Sequence, residues 1–186
     1  MVSSANKHSQ NQIIRAVYSL RDFERASSAL IFLKDDKLEH DTNRAHLRRH
    51  YCYETTAIVC YMRPFGRAYG EVKPLSLAEF GVDLTDEESA LHDRLKTLRD
   101  MAFAHSDFAK MEFRLDPIPI EETEEPTHFP LLTFPEGPGL LSSDDVNAME
   151  SLLLKLIHNI GKAVFHYVQQ SAEPLIISGG RIHGPT

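Results

Sequence analysis

Cysteine is scarce in this chain of 186 residues: Cys52 and Cys60 are the only two. On a helix, eight residues separate them by about 12 Å, whereas a bridge needs Cα atoms within about 7 Å, so they do not pair. A disulfide-built mini-scaffold is thereby excluded, and reduced thiols in a cytoplasmic setting are expected. Long apolar runs are lacking too. The most apolar stretch, residues 152–168, is interrupted by Lys155, His158, Asn159, Lys162 and His166, and the first residues have no apolar core of signal-peptide length. Neither a membrane span nor a secretory leader is expected. No internal repeat is visible, and bulk positive charge is absent: the formal net charge is -7. That argues against a protein that coats nucleic acid by overall attraction.

Charge is nevertheless unevenly spread. Residues 1–70 hold 11 Lys and Arg against 7 Asp and Glu, leaving 9 of the 20 basic and 20 of the 27 acidic residues for 71–186. A local basic site is compatible with this distribution, a basic surface is not. With 42% hydrophobic residues the chain has enough apolar material for one globular core, and disorder is excluded.

The hydrophobic spacing predicts four long helices. Ser9 stands as an N-cap before Ile13, Ala16, Leu20, Phe23, Ser27 and Leu30, a stripe at alternating spacings of three and four that runs to Lys34. A second stripe, Leu47, Tyr51, Glu54, Ile58, Tyr61 and Phe65, is bent or ended by Pro64. Thr85 and Glu88 have the form of a capping box that opens a third helix on Leu91, Leu95, Leu98, Ala102, His105 and Ala109. From Phe113 to Leu141 six prolines exclude a helix; this is read as a loop or hairpin with an acidic tip at 121–125 and a short edge strand at Phe129–Phe134. Ser142 to Asp145 cap a fourth helix through about Gln170, apolar on more than one face and therefore central or shared with a second subunit. The tail, 171–186, reads as irregular. The expected fold is a single all-α domain, an antiparallel four-helix bundle with core 10–170 and a proline-rich insertion at 113–141.

Chemistry concentrates near the end of the third helix, in Leu98-Arg99-Asp100-Met101-Ala102-Phe103-Ala104-His105-Ser106-Asp107. His105 falls on an apolar stripe. One reading is a core or interface histidine with satisfied ring nitrogens; the other is a reactive imidazole near an arginine and two aspartates. On a regular helix Arg99 and His105 would be about 9 Å apart along the axis and about 120° apart around it, so one helix does not focus both on a single phosphate. Two copies about a two-fold axis do so more readily, and Ala102 and Ala104 would permit close approach. Elsewhere, Glu54 on the second stripe is a candidate to face Arg99 or Arg63, either in a structural ion pair or in a functional role. Arg44, Arg48, Arg49, Arg63 and Arg67 are candidate phosphate contacts, or a solvated basic face. His46, His50 and Glu54 recur at i, i+4 and i+8, a spacing open to a metal, although Arg48 and Arg49 beside them disfavour a dication.

The segment Leu98–Asp107 resembles the active motif of the HEPN superfamily, the higher-eukaryote and prokaryote nucleotide-binding helical domains, and especially its abortive-infection-type bacterial members. In that pattern an Arg is followed by a polar residue, usually Asn, and then by a His four to six residues after the Arg; here Asp100 stands at the polar position. The resemblance extends to Tyr53-Glu54, to Arg63-Pro64-Phe65 and to the long closing helix. It implies a metal-independent endoribonuclease without cofactor, dimeric, in a phage-defence or toxin–antitoxin setting. Catalytic roles fall to Arg99, His105 and Asp100, and substrate binding to Arg63, Glu54, Ser106 and Asp107. The implied partners are RNA, a second copy of the chain, and an antitoxin or nucleotidyltransferase. The rival expectations are a catalytically silent module that binds RNA, nucleotide or protein, and a metal-dependent helical enzyme using His46, His50 and Glu54.

Overall fold

A computed structural model describes residues 9–35, 44–66, 72–103, 114–120, 127–133, 140–170, 176–178 and 181–183. The chain is predominantly α-helical, with α1 at Gln10–Asp35, α2 at Arg44–Met62, α3 at Asp86–Phe103 and α4 at Ser143–Gln169. Three of these starts follow from reciprocal capping, which satisfies backbone N–H groups that have no partner inside the helix. The Ser9 N–H donates to Gln12 Oε1 at 2.6 Å and the Gln12 N–H donates back to Ser9 Oγ at 3.3 Å. At α3 the Thr85 N–H donates to Glu88 Oε2 at 2.8 Å and the Glu88 N–H to Thr85 Oγ1 at 3.2 Å. At α4 the pair is Ser142 and Asp145, with distances of 3.0 and 3.1 Å.

Helix α1 packs against α2 and α4, α2 against α3, and α3 against α4. The buried stripe of α1 contains Ile13, Ala16, Phe23 and Leu30, as the spacing predicts. It meets Ile58 and Tyr61 of α2, Leu91 and Leu95 of α3, and Met149, Leu152, Leu153, Leu156 and Ile160 of α4 in the core. Two ion pairs tie α3 to α4: Arg94 with Asp145, and Lys155 with Glu88 at 2.6 Å. Cys52 is exposed and Cys60 buried, and both are free. Among the described residues, no helix is long and apolar enough to cross a membrane.

Pro64 acts as its chemistry dictates. Lacking an N–H, it ends α2 at Met62, and the chain tightens into a 3₁₀ turn, Arg63–Phe65, closed by the Gly66 N–H on the Arg63 carbonyl at 3.2 Å. A second 3₁₀ turn, Ala78–Phe80, ends on Gly81 at φ +65°, a left-handed conformation that favours glycine.

Between α3 and α4, β1 (Arg114–Ile120) pairs antiparallel with β2 (Thr127–Thr133). Three prolines lie in this ladder: the register sets Pro117 opposite Pro130 and Pro119 opposite His128. These pairs are two residues apart and so belong to one class; in the non-hydrogen-bonded class of an antiparallel ladder no inward N–H is needed. The tail corrects the expectation of irregular chain: β3 (Ile176–Ser178) pairs with β4 (Arg181–His183), and β4 contacts α1. The β-branched Ile176, Ile177 and Ile182 on either side of Gly179-Gly180 are the local reason. The acidic tip at 121–125 lies outside the described residues.

Candidate functional site

Arg99 sits near the C-terminal end of α3 with 28% of its side chain exposed. Its Nε donates to Asp100 Oδ1 at 2.8 Å, and Nη2 donates to the same oxygen. The guanidinium also lies beside the 3₁₀ turn after α2: a Cβ on Gly66 would stand 3.7 Å from Arg99 Nη1 and 3.5 Å from the Arg63 carbonyl oxygen. Arg99 and Asp100 are therefore one hydrogen-bonded unit against the Arg63–Gly66 backbone. The exposed guanidinium of Arg63 turns to α1, where Nη1 is 2.9 Å from Asp22 Oδ1, an oxygen that Arg25 also approaches at 3.9 Å. Ser106, Asp107 and His105 lie outside the described residues, as does Arg67.

Glu54 is not at this place. Nine residues before Arg63, about 13 Å along the axis of α2, it is 1% exposed, and among the described residues its partners are not arginines. Oε2 accepts the Leu140 N–H and Oε1 the Leu141 N–H, each at 3.0 Å. The expectation that Glu54 faces Arg99 or Arg63 is thus corrected: a buried carboxylate needs compensating donors, and two backbone amides at the entry to α4 supply them. His50 Nε2 lies 3.9 Å from Glu54 Oε1. Among the described residues no group of three His, Cys, Asp or Glu side chains gathers to hold a metal, and the spacing of His46, His50 and Glu54 does not make one.

Sequence reasoning passed over a second polar pair, which joins α2 to α3. Tyr61, fully buried on α2, has its hydroxyl 2.9 Å from His92 Nδ1 on α3. The imidazole meets Phe65 edge-on, with centroids 4.7 Å apart and planes at 89°, and Tyr61 at 5.7 Å. Phe23 of α1 lies 6.1 Å from both Tyr61 and Phe65 and closes the aromatic cluster. Burial pushes the Tyr61 phenol far above its usual range, with a smaller contribution from Glu88, so it is neutral. Burial also pulls His92 below the ordinary imidazole value, against the nearby Asp93 and with help from Lys96. The Cys60 thiol is raised by burial, which outweighs the opposing pull of Arg63 and leaves it unreactive. The one sequence signal for His92 is its place seven residues before Arg99, two turns along one face.

A separate cleft of ≈ 190 Å³ lies between the start of α1 and the 72–80 segment, lined by Ser9, Gln12, Arg15, Lys73, Leu75 and Phe80. Arg15 is committed there, its Nε donating to the Lys73 carbonyl at 2.7 Å. None of the residues singled out by the sequence as catalytic or substrate-binding lines it. No family model, curated protein or solved structure matches the chain.

Proposed function

We propose that the chain is a metal-independent endoribonuclease of the HEPN type, acting as a cytoplasmic homodimer in a phage-defence or toxin–antitoxin setting. The observation that carries the reading is the Arg99–Asp100 unit, held at the end of α3 against Gly66, within the Arg-polar-His spacing that ends at His105. Cleavage through the ribose 2′-OH needs a proton acceptor, a proton donor for the leaving 5′-oxygen, and a cation for the charge gathering on phosphorus. A guanidinium suits the last role and an imidazole the proton roles. In this account Asp100 orients Arg99, Arg63 contacts a neighbouring phosphate, and Ser106 and Asp107 border the substrate. Glu54 holds the scaffold.

The finer architecture belongs to the same proposal: an antiparallel four-helix bundle from which 113–141 projects as an insertion. The opposed ends linked by Lys34 with Glu150, and the contacts of Arg94 and Lys155 between α3 and α4, support it. Dimerisation is supported by Leu154 and Phe165 of α4, each 63% exposed, with Val168 beside them. They fall within about 60° of each other on the helix. Gly161 between them has nothing within 4 Å of an added Cβ. An antitoxin or nucleotidyltransferase is the proposed cellular partner.

One observation favours a second reading, a silent module that binds RNA, nucleotide or protein: Asp100 already offsets the charge of Arg99. Incubating the purified chain with RNA in the presence of a chelator separates the two. Cutting that survives chelation is expected; an intact substrate supports the silent module, and chelator-sensitive cutting points to a metal enzyme.

A further inference from the structure

In a chain of formal net charge -7, three arginines gather on the outer side of α1 and the turn that ends α2. Asp22 Oδ1 draws two of them together: Arg63 Nη1 lies 2.9 Å from it and Arg25 Nη1 3.9 Å. Arg63, Asp22 and Arg25 all act on the thiol of Cys60, so the three charges share one neighbourhood. Arg21, next to Asp22 in the chain and about 40° from Arg25 around the helix, is exposed and pairs with no carboxylate among the described residues. Exposed rings flank these arginines. Tyr18, Arg21, Arg25 and Phe32 fall within about 60° of one another around α1 and span about 21 Å of its axis. Tyr18 is 46% and Phe32 52% exposed, and Phe32 is steadied by Tyr53 of α2, with ring centroids 5.6 Å apart. Glu24, the next acid on α1, stands about 60° outside this stripe, beyond Arg21.

We infer that this stripe of α1, together with Arg63, is a docking surface for single-stranded RNA: Arg21, Arg25 and Arg63 contact phosphates, and Tyr18 and Phe32 stack on bases. The choice of RNA rests on the ribonuclease reading; charge complementarity and the exposed rings carry the docking itself. Guanidinia grip phosphate through a planar fork, and aromatic side chains among them offer platforms for bases. An acidic protein segment would answer the charge but leave the rings without a role. A second copy docked about a two-fold axis would bring the same arginines near their own equivalents, and like charges oppose that contact. The turn that sends Arg63 to α1 ends at Gly66, which lies against Arg99, so the surface begins beside the residue that marks the proposed site.

The test measures fluorescence anisotropy of a short single-stranded RNA with 2′-O-methyl riboses, which a nuclease that depends on the 2′-OH does not cut, against the full chain over a range of salt. On a single strand each lost phosphate contact lowers the slope of log affinity against log salt by about 0.7, so Arg21→Gln combined with Arg25→Gln is expected to weaken binding and reduce the slope by about 1.4. Tyr18→Ala is expected to weaken binding about 5- to 150-fold with the slope unchanged, because stacking releases no counterions. Wild-type affinity and slope in the double variant, or no binding by the wild type, overturns the docking surface whatever cleavage shows. Polyglutamate that competes as well as RNA, with Tyr18→Ala without effect, assigns the face to an acidic protein and overturns it too. So does conversion of a dimer to a monomer by the double variant, which makes the face a contact between copies. Wild-type protein that binds this RNA with the expected changes in the variants, yet leaves natural RNA uncut, removes the ribonuclease reading and upholds the docking surface.

Discussion

Replacing Glu54 by Gln tests whether this carboxylate is part of the scaffold or part of the RNA site. In the native chain its two oxygens accept the Leu140 and Leu141 N–H groups at 3.0 Å each, in surroundings where Glu54 is 1% exposed. A glutamine keeps one acceptor oxygen but turns an NH₂ group toward the other backbone donor, leaving one amide buried without an acceptor. A hydrogen bond to a charged group contributes about 1.5–3 kcal/mol, and an orphaned buried donor costs about 1–3 kcal/mol. These overlap, so the net loss should be about 2–4 kcal/mol. For a chain of this size each kcal/mol moves the midpoint by about 2–4 °C, and Tm should fall by roughly 4–16 °C. Thermal and urea melting measure the loss, and hydrogen exchange at Leu140 and Leu141 should accelerate locally. RNA cleavage by the folded variant should be nearly unchanged. A stability change below about 0.5 kcal/mol together with a large loss of cleavage would refute the scaffold role and return Glu54 to the substrate.

His105→Ala should reduce cleavage about 10²- to 10⁴-fold while the protein stays folded; unfolding of this variant would favour the core-histidine reading. Arg99→Lys should recover little of the activity lost in Arg99→Ala, because an ammonium does not reproduce the planar fork, whereas Asp100→Asn should keep or raise activity. Light scattering should give a dimer for the wild type and a monomer for Phe165→Glu, and a monomeric wild type would remove the α4 interface. Because burial lowers the pKa of His92 in the folded chain, the unfolded chain binds the proton more readily. The stability contributed by the neutral imidazole is therefore complete above about pH 6.5 and is lost as pH falls through the lowered folded value, a loss that His92→Gln should flatten in pH-dependent melting.

What was legible in the sequence was local. Ser9, Thr85 and Ser142 announce helix starts because a capping partner sits three residues away, and Pro64 announces a stop because it carries no N–H. The sequence leaves 113–141 open between loop and hairpin, because Pro117 and Pro119 discourage a strand, and the pairing of β1 with β2 shows that the hairpin forms. The stripe position of Glu54 points to an arginine partner, Arg99 or Arg63, yet its donors are backbone amides 86 and 87 residues away, which carry no side-chain signature. Tyr61 and His92 likewise meet across 31 residues, so neither local spacing nor composition pairs them. Arg99 was read from its motif context, but its contact with Gly66 depends on how α2 ends.

The most direct measurement is analysis of RNA ends after incubation with wild-type and Arg99→Ala protein in the presence of a chelator. The account predicts 2′,3′-cyclic phosphate and 5′-hydroxyl ends from the wild type, loss of those products in Arg99→Ala, and resistance of an RNA with a 2′-deoxy residue at the cut. Cleavage of the deoxy substrate at an undiminished rate, or equal cleavage by Arg99→Ala, would contradict it.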